Sequence, residues 1–323
     1  ASKMFSISLR KDASTSSMNW KKNCPKSNCI PLEDLPFILD SIAESSGKPL
    51  RFKNISPISG GCINQCFKIE GVDSSCVFLK KNRKSFLPFF KAEAQALREI
   101  KATDTVQVPQ VISFGESESS SFLVLEFLTE GRAARNGQYQ LGEQLAQMHL
   151  HPKEYFGWEQ DNCIGATPQP NPSSTDWISF YRDHRLHHQF NLAKKKGRTF
   201  DGKIDLLDNL EAFFVGYSPH PSVLHGDLWG GNTGYTQTGD PFIFDPATYY
   251  GDRETDLAFT YMFGGFDSSF YQGYEQVSPL HKGFQTRKIL YNLYHELNHF
   301  NLFGGGYANS AQSSINQLLK IIP

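Results

Sequence analysis

The sequence predicts an α+β protein of two unequal lobes, a small and mainly antiparallel β lobe with one key helix followed by a larger, mostly helical lobe. Three observations carry this prediction. The chain has 323 residues, about twice the length expected of one domain. Short β-like runs cluster between residues 52 and 127, whereas helical periodicity dominates beyond residue 129. Hydrophobic residues make up 39% and aromatic residues 13%, with 26 Phe, enough for one large core or two smaller ones. Charged residues at 20% exclude general disorder.

In chain order, residues 1–31 are set apart from the fold. They are rich in Ser and carry Lys3, Arg10, Lys11, Lys21, Lys22 and Lys26 against Asp12 alone up to residue 28. That composition resembles an organelle transit segment. An upstream extension ahead of a natural start at Met18, or a vector-derived remnant, gives the same pattern. Residues 32–128 form the expected N-terminal lobe. Leu35, Ile38, Leu39 and Ile42 recur at helical spacing over 32–44, and Gly47-Lys48-Pro49 ends that helix. Phe52–Ile58, Cys66–Glu70, Cys76–Leu79, Val111–Phe114 and Phe122–Phe127 read as five strands. Between the third and fourth, Pro88 opens a helix running to about Ile100.

Residues 129–323 form the expected C-terminal lobe. Leu141, Leu145 and Met148 mark a helix ending near His149, and Trp177–Lys194, Ile204–Phe214 and Arg287–Phe300 read as helices. The segment Cys163–Ser174, with Pro168, Pro170 and Pro172, reads as a loop, and Phe242–Asp245 as a short strand.

Composition restricts the function. Lys plus Arg is 32 against 33 Asp plus Glu, a formal charge of −1. This argues against a nucleic-acid partner bound by bulk electrostatics. No stretch approaches the roughly 20 apolar residues of a membrane span, so no membrane partner is expected. Six cysteines (Cys24, Cys29, Cys62, Cys66, Cys76 and Cys163) lack the spacing of a disulfide framework or a zinc site. Reduced thiols in a cytoplasmic setting are expected, with plastid or mitochondrion as the alternative if residues 1–31 are a transit segment.

The sharpest chemical signal is His225-Gly226-Asp227-Leu228-Trp229-Gly230-Gly231-Asn232, followed by Ile243-Phe244-Asp245-Pro246. Asp227 and Asn232, on one loop, can act together, the Asp accepting a hydroxyl proton while the Asn amide oxygen holds a magnesium ion. Asp245, brought in by the following strand, supplies a second metal oxygen. Polar residues capping turns would produce parts of this pattern, but not the whole spacing with a strand-borne Asp.

Upstream elements come in the required order. Ser59-Gly60-Gly61-Cys62-Ile63-Asn64 lies between two strands, where glycine lets backbone amides approach a phosphate. Lys80 ends the third strand, where it can pair with phosphates, and Glu93 on the next helix is its natural partner. Lys81, Lys84 and Lys91 are competitors for that role. Leu123–Leu128 crosses toward the helical lobe and can offer the Glu126 carbonyl and the Leu128 amide to adenine. The absence of G-x-x-x-x-G-K-[ST] excludes a P-loop NTPase. Asp252, Arg253, Glu254 and Asp256 form a charged turn expected to brace the catalytic loop, and the short Asp245–Asp252 spacing leaves no room for a long activation loop. His295-Glu296-Leu297-Asn298-His299 matches H-E-x-x-H of zinc proteases, but no His, Asp, Glu or Cys follows His299 to complete a site.

On these residues the sequence resembles the fructosamine-3-kinase (ketosamine-3-kinase) family, in the aminoglycoside- and choline-kinase-like branch of the protein-kinase-like fold. The likeness runs from about Leu50 to the C-terminus. It rests on Gly60–Asn64, Leu141–Ala146 with His149, His225–Asn232, Asp245-Pro246-Ala247 with Tyr249-Tyr250-Gly251, Phe263-Gly264-Gly265-Phe266, and Leu297–Asn301 with Phe303-Gly304.

The resemblance implies ATP- and magnesium-dependent phosphorylation of the 3-hydroxyl of a ketosamine, the Amadori product of a sugar and an amine. The 3-phosphate eliminates and returns the free amine, a deglycation. It implies Asp227 as catalytic base, Asn232 and Asp245 as magnesium ligands, Lys80 positioned by Glu93, and Gly60, Gly61, Cys62, Ile63, Asn64, Glu126 and Leu128 around ATP. Trp229 offers a wall for the sugar or an anchor for the loop, and His299 is a second candidate for sugar contact. The acceptor is a small ketoamine or a glycated lysine on a protein; another small hydroxylated amine is the alternative. Cys62, in the phosphate turn, is a candidate redox thiol, which leaves a monomer and a redox-linked homodimer both open.

Overall fold

The computed structural model describes residues 33–59 and 63–322. The N-terminal extension and Gly60, Gly61 and Cys62 lie outside the described residues. Five strands, β1 (Phe52–Ile58), β2 (Gln65–Gly71), β3 (Cys76–Arg83), β4 (Val111–Glu116) and β5 (Ser120–Glu126), form one antiparallel sheet in the order β1-β2-β3-β5-β4. Period-two alternation sorts their side chains. Phe67, Ile69, Val77, Leu79, Phe122 and Val124 point to one face, where Leu35, Ile38 and Ile42 of α1 (Asp34–Ser46) cover them. Phe78, Leu123 and Leu125 point to the other, toward Phe90, Ala94, Leu97 and Ile100 of α2 (Leu87–Ala102), within a core continuous with the helical lobe. The lobe therefore carries a helix on each face of its sheet, the two helices that the apolar spacing predicts.

The same alternation separates the two neighbouring lysines. Lys81 turns toward α1 and pairs with the fully buried Asp34 at 2.6 Å. Burial alone would raise the Asp34 carboxyl, but Lys81 and three serine hydroxyls more than offset it and hold it at about 2. Lys81 is thus a structural ion pair, not a rival for phosphate. β3 runs on to Arg83, so Lys80 sits within the strand and not at its end.

The second lobe opens with α3 (Gly137–His149) and a hairpin of β6 (Asn162–Ile164) and β7 (Thr167–Gln169), where a loop was expected. Its reason is polar and invisible to hydrophobic pattern: Gln169 Nε2 donates to Asn162 Oδ1 at 2.9 Å inside the protein. The single helix expected over Trp177–Lys194 is interrupted. It comprises α4 (Trp177–Tyr181), a π-helical stretch Arg182–His187 and α5 (His188–Lys195). The wider turn seats the fully buried Arg185, whose guanidinium donates to Pro170 O and Asn171 Oδ1 and lies 4.0 Å from the Tyr249 ring. The predicted helix Ile204–Phe214 likewise divides, into α6 (Lys203–Asp208) and a 3₁₀ turn over Leu210–Phe214.

Four short strands follow: β8 (Ser222–Val223), β9 (Thr233–Tyr235), β10 (Pro241–Ile243) and β11 (Tyr250–Gly251). β9 pairs with β10 and β8 with β11, both antiparallel. β10 stops at Ile243, so Phe244 and Asp245 stand just beyond the strand expected to contain them. The lobe closes with α7 (Glu254–Thr260), α8 (Ser268–Val277), α9 (Phe284–Phe303) and α10 (Tyr307–Leu319). α3 and α8 meet through glycines, since a Cβ on Gly142 would stand 2.0 Å from Phe270 O and one on Gly273 2.1 Å from Tyr139 O. Among the described residues no helix is long and apolar enough to cross a membrane.

Candidate active site

Lys80 sits between two carboxylates, with its ammonium 2.5 Å from Glu93 Oε1 on α2 and 2.5 Å from Asp245 Oδ1 beyond β10. Burial alone would lower its pKa, but the two carboxylates raise it, so the side chain stays charged. One cation thus ties sheet, helix and C-terminal lobe to a single point. Asp245 adopts φ 58°, in the left-handed region that a non-glycine residue rarely occupies. Such strain, of order 1–2 kcal/mol, is characteristic of residues whose side chain must be aimed.

The segment Val223–Asn232 forms the loop opposite. Gly226 also has a positive φ, 79°, and a Cβ there would stand 2.1 Å from Ala247 O. His225 is buried, and that burial lowers its pKa, leaving a neutral ring. Nε2–H then donates to Phe244 O at 2.9 Å and Nδ1 accepts from the Asp227 amide at 3.3 Å. His225 therefore bolts the Asp227 loop to the Asp245 segment. Asp256 completes the brace: its carboxylate accepts the amides of His225 (2.7 Å) and Gly226 (2.8 Å), and His149 Nε2 at 3.1 Å. The charged turn expected from the sequence to brace this loop does so through Asp256. Asp252 instead receives the hydroxyls of Tyr217 and Tyr291, and Glu254 a two-pronged pair from Arg287. Arg253 donates to Ser278 O and Pro279 O.

Asn232 donates its amide to Asp227 O (2.8 Å) and Asp227 Oδ2 (3.1 Å). Its Oδ1 remains as an acceptor. Asp245 has its Oδ2 beyond the oxygen held by Lys80. Two hard oxygen donors on adjacent strand ends fit magnesium, which takes one or two side-chain ligands and completes its shell with phosphate and water. Asp227 is pushed well above the ordinary carboxylate range, first by its enclosed setting and then by the Asp245 charge, with Asn232 opposing. It stays partly exposed.

The phosphate turn is described only at its end. Asn82 on β3, which sequence reasoning missed, donates to Ile63 O (3.1 Å) and Asn64 Oδ1 (2.8 Å) and so fastens that end. At the lobe junction, the Glu126 and Gln110 backbones are bonded, and Leu128 packs with Phe242 and Phe244. The crossing strand is thereby fixed against the strand leading to Asp245.

Trp229 and His299 converge through Phe263, which belongs to a motif of the family likeness but was given no role in the site. Phe263 lies edge-on to Trp229 at 5.8 Å and 5.1 Å from His299. The Trp229 indole folds back over Gly231, where a Cβ would meet it at 2.3 Å. It is therefore anchored and also partly open. His299 donates Nδ1–H to His295 O at 2.7 Å, and burial lowers its pKa, so Nε2 is an acceptor. The signal of Phe263 in the sequence was membership of the Phe263-Gly264-Gly265-Phe266 motif, which does not tell which side chains it meets.

The H-E-x-x-H segment turns His295, Leu297 and Asn298 into the core. His295 is buried and stacks flat on Phe259 at 3.6 Å, and among the described residues no three His, Cys, Asp or Glu side chains are grouped to hold a metal. Burial raises the Glu296 carboxyl from the ordinary 4.5 to about 7. A raised folded-state value favours folding below the unfolded-state value and loses that contribution as pH rises through the folded one. Glu296→Gln should therefore raise Tm at pH 8 by about 2–4 °C, after allowing for partial solvent screening, and by less at pH 5. A melting series that shows the same difference at both pH values contradicts this. Cys66 and Cys163 are free thiols pushed by burial to about 12, hence unreactive, and Cys76 is also free.

Residues 36–321 match the family described as fructosamine kinase. The chain is 45% identical over 285 residues to a protein of Synechocystis sp. named a probable ketoamine kinase, covering 88% of this chain and 96% of the relative. It is 39% identical over 290 residues to protein-ribulosamine 3-kinase, chloroplastic, of Arabidopsis thaliana, covering 86% of each. A crystal structure of a protein assigned as fructosamine-3-kinase from Haemophilus somnus 129PT superposes with a TM-score of 0.82 at 32% identity, covering 87% of this chain and 96% of that one. The shared fold is that of the protein-kinase-like phosphotransferases. With the lysine bridge, the braced Asp227 loop and these likenesses together, the chain belongs to the fructosamine kinase family.

Proposed function

We propose that this protein transfers the terminal phosphoryl group of ATP to the 3-hydroxyl of a ketosamine. The reading is supported by Lys80 bridging Glu93 and Asp245, with Asn232 bonded to Asp227 and, through its backbone, to the residue before Asp245. The names of the Synechocystis and Arabidopsis relatives support the acceptor class. The Arabidopsis name also supports a plastid as the alternative to the cytoplasm.

In this reading Asp227 accepts the proton of the 3-hydroxyl as its oxygen attacks the γ-phosphorus, and the bond to the β-phosphate oxygen breaks to release ADP. Asn232 holds the Asp227 carboxylate in place by donating to Oδ2. Lys80 carries positive charge to the phosphates and Glu93 orients it. Asn232 Oδ1 and Asp245 would hold magnesium, which when bound neutralises charge on the phosphate oxygens. Gly60, Gly61, Cys62, Ile63 and Asn64 would surround the phosphates, and Glu126 O and Leu128 N the adenine. Trp229 and His299, joined by Phe263, would face the sugar. The phosphorylated product eliminates its 3-phosphate and frees the amine, on a small molecule or a protein lysine.

The test is phosphate transfer from ATP to ketoamines derived from ribose, erythrose and fructose, run beside choline and an aminoglycoside. Turnover of at least one ketoamine well above both controls is expected. Turnover of choline or the aminoglycoside with none of any ketoamine overturns the reading.

A further inference from the structure

α2 carries two carboxylates that meet different parts of the molecule. Glu93 reaches Lys80, as described. Glu99, six residues further on, receives three donors from the C-terminal lobe: Lys153 Nζ at 2.5 Å, Trp158 Nε1 at 2.8 Å and the Tyr250 hydroxyl at 2.5 Å. Oε1 accepts the lysine and the phenol, and Oε2 the indole. One helical turn earlier, Gln95 is bonded to Glu159 (2.8 Å) and Gln160 (2.7 Å) of the same segment. Residues 95 and 99 are i and i+4 on one face of α2, which is therefore fastened to the lobe beneath it along a full turn.

The donors are themselves held. Tyr250 exchanges backbone hydrogen bonds with Gly157 (2.9 and 2.7 Å), its ring lies 5.4 Å from Tyr155, and the Lys153 ammonium stands 4.6 Å above it. Burial first, and the Glu99 carboxylate second, keep the phenol protonated as a donor. Tyr250 also lies five residues beyond Asp245 on the same stretch of chain. The helix and the metal-binding segment thus touch twice, once through Lys80 between Glu93 and Asp245, and once through Glu99 and Tyr250.

We infer that Glu99 is a positioning residue: it latches α2 to the segment carrying Asp245 and so keeps Lys80, Glu93 and Asp245 assembled for the nucleotide. A helix is stiff over six residues, so release at Glu99 lets its Glu93 end shift. Displacements near 1 Å are enough to lower rates by about a hundredfold when they reach reacting groups. The inference rests on the proposed assignment of Lys80 to the phosphates.

The test compares Glu99→Gln, Tyr250→Phe and Lys80→Met in the full chain, measuring kcat, KM for Mg-ATP, KM for the best ketoamine, and Tm. Glu99→Gln should lower kcat/KM for Mg-ATP about tenfold, and Tyr250→Phe about threefold, with ketoamine KM within about twofold. A fall in Tm with kcat and Mg-ATP KM unchanged in both variants overturns the latch and leaves the Lys80 assignment standing, provided Lys80→Met is inactive. Full activity of Lys80→Met overturns that assignment and the inference with it. If Glu99→Gln does not fold, the single hydroxyl removed in Tyr250→Phe decides the matter by the same split of kinetic constants.

Discussion

Asp227→Asn is expected to lower kcat by about 10³-fold while leaving KM for Mg-ATP within about threefold, as measured by steady-state phosphate transfer. The substitution preserves shape and removes only the ability to take a proton. The surroundings tolerate it: the residue 227 amide keeps its bond to His225, and Asn232 still has Asp227 O of the backbone as partner. Nucleotide contacts are assigned to Lys80, Asn232 and Asp245, none of which changes. The loss therefore belongs to the chemical step. A variant that keeps a tenth or more of the parental kcat would show that Asp227 is not the base.

Gly226→Ala is expected to damage both the fold and the activity. Its φ of 79° costs an alanine about 1 kcal/mol. More seriously, the new Cβ would stand 2.1 Å from Ala247 O, a backbone atom. That neighbour cannot rotate away, because the Ala247 amide is bonded to His225 O at 2.8 Å and Gln169 donates to the Ala247 carbonyl at 3.1 Å. The loop carrying Asp227 must then part from the segment after Asp245. We expect a loss of about 3 kcal/mol in unfolding free energy and at least about a hundredfold in kcat, from denaturant titration and kinetics together. Parental stability and turnover would mean that the two segments are not packed as described.

The sequence made the β lobe legible because period-two alternation is local: Val77, Leu79, Phe122 and Val124 announce a buried face wherever the chain goes. Helix α2 was equally plain from Pro88 and its spacing of apolar residues. The interruptions in the second lobe were hidden, since the π-helical stretch around Arg185 and the hairpin at Asn162 and Gln169 answer to polar partners distant in sequence. Hydrophobic period says nothing of such bonds.

For the site, residue type and spacing alone singled out Asp227, Asn232, Asp245, Lys80 and Glu93, because phosphoryl transfer needs a base, oxygen ligands and a cation in a set order along this fold. The tertiary structure gave the choice of Lys80 over Lys81 its physical reason, by turning one to Glu93 and Asp245 and the other to Asp34. It alone gave Gly226 a steric reason, joined Trp229 to His299 through Phe263, and brought Glu99 to Tyr250 across the lobe junction. Chemistry is written in side-chain identity and can be read along the chain, whereas a contact between residues 151 positions apart exists only once packing has closed the distance.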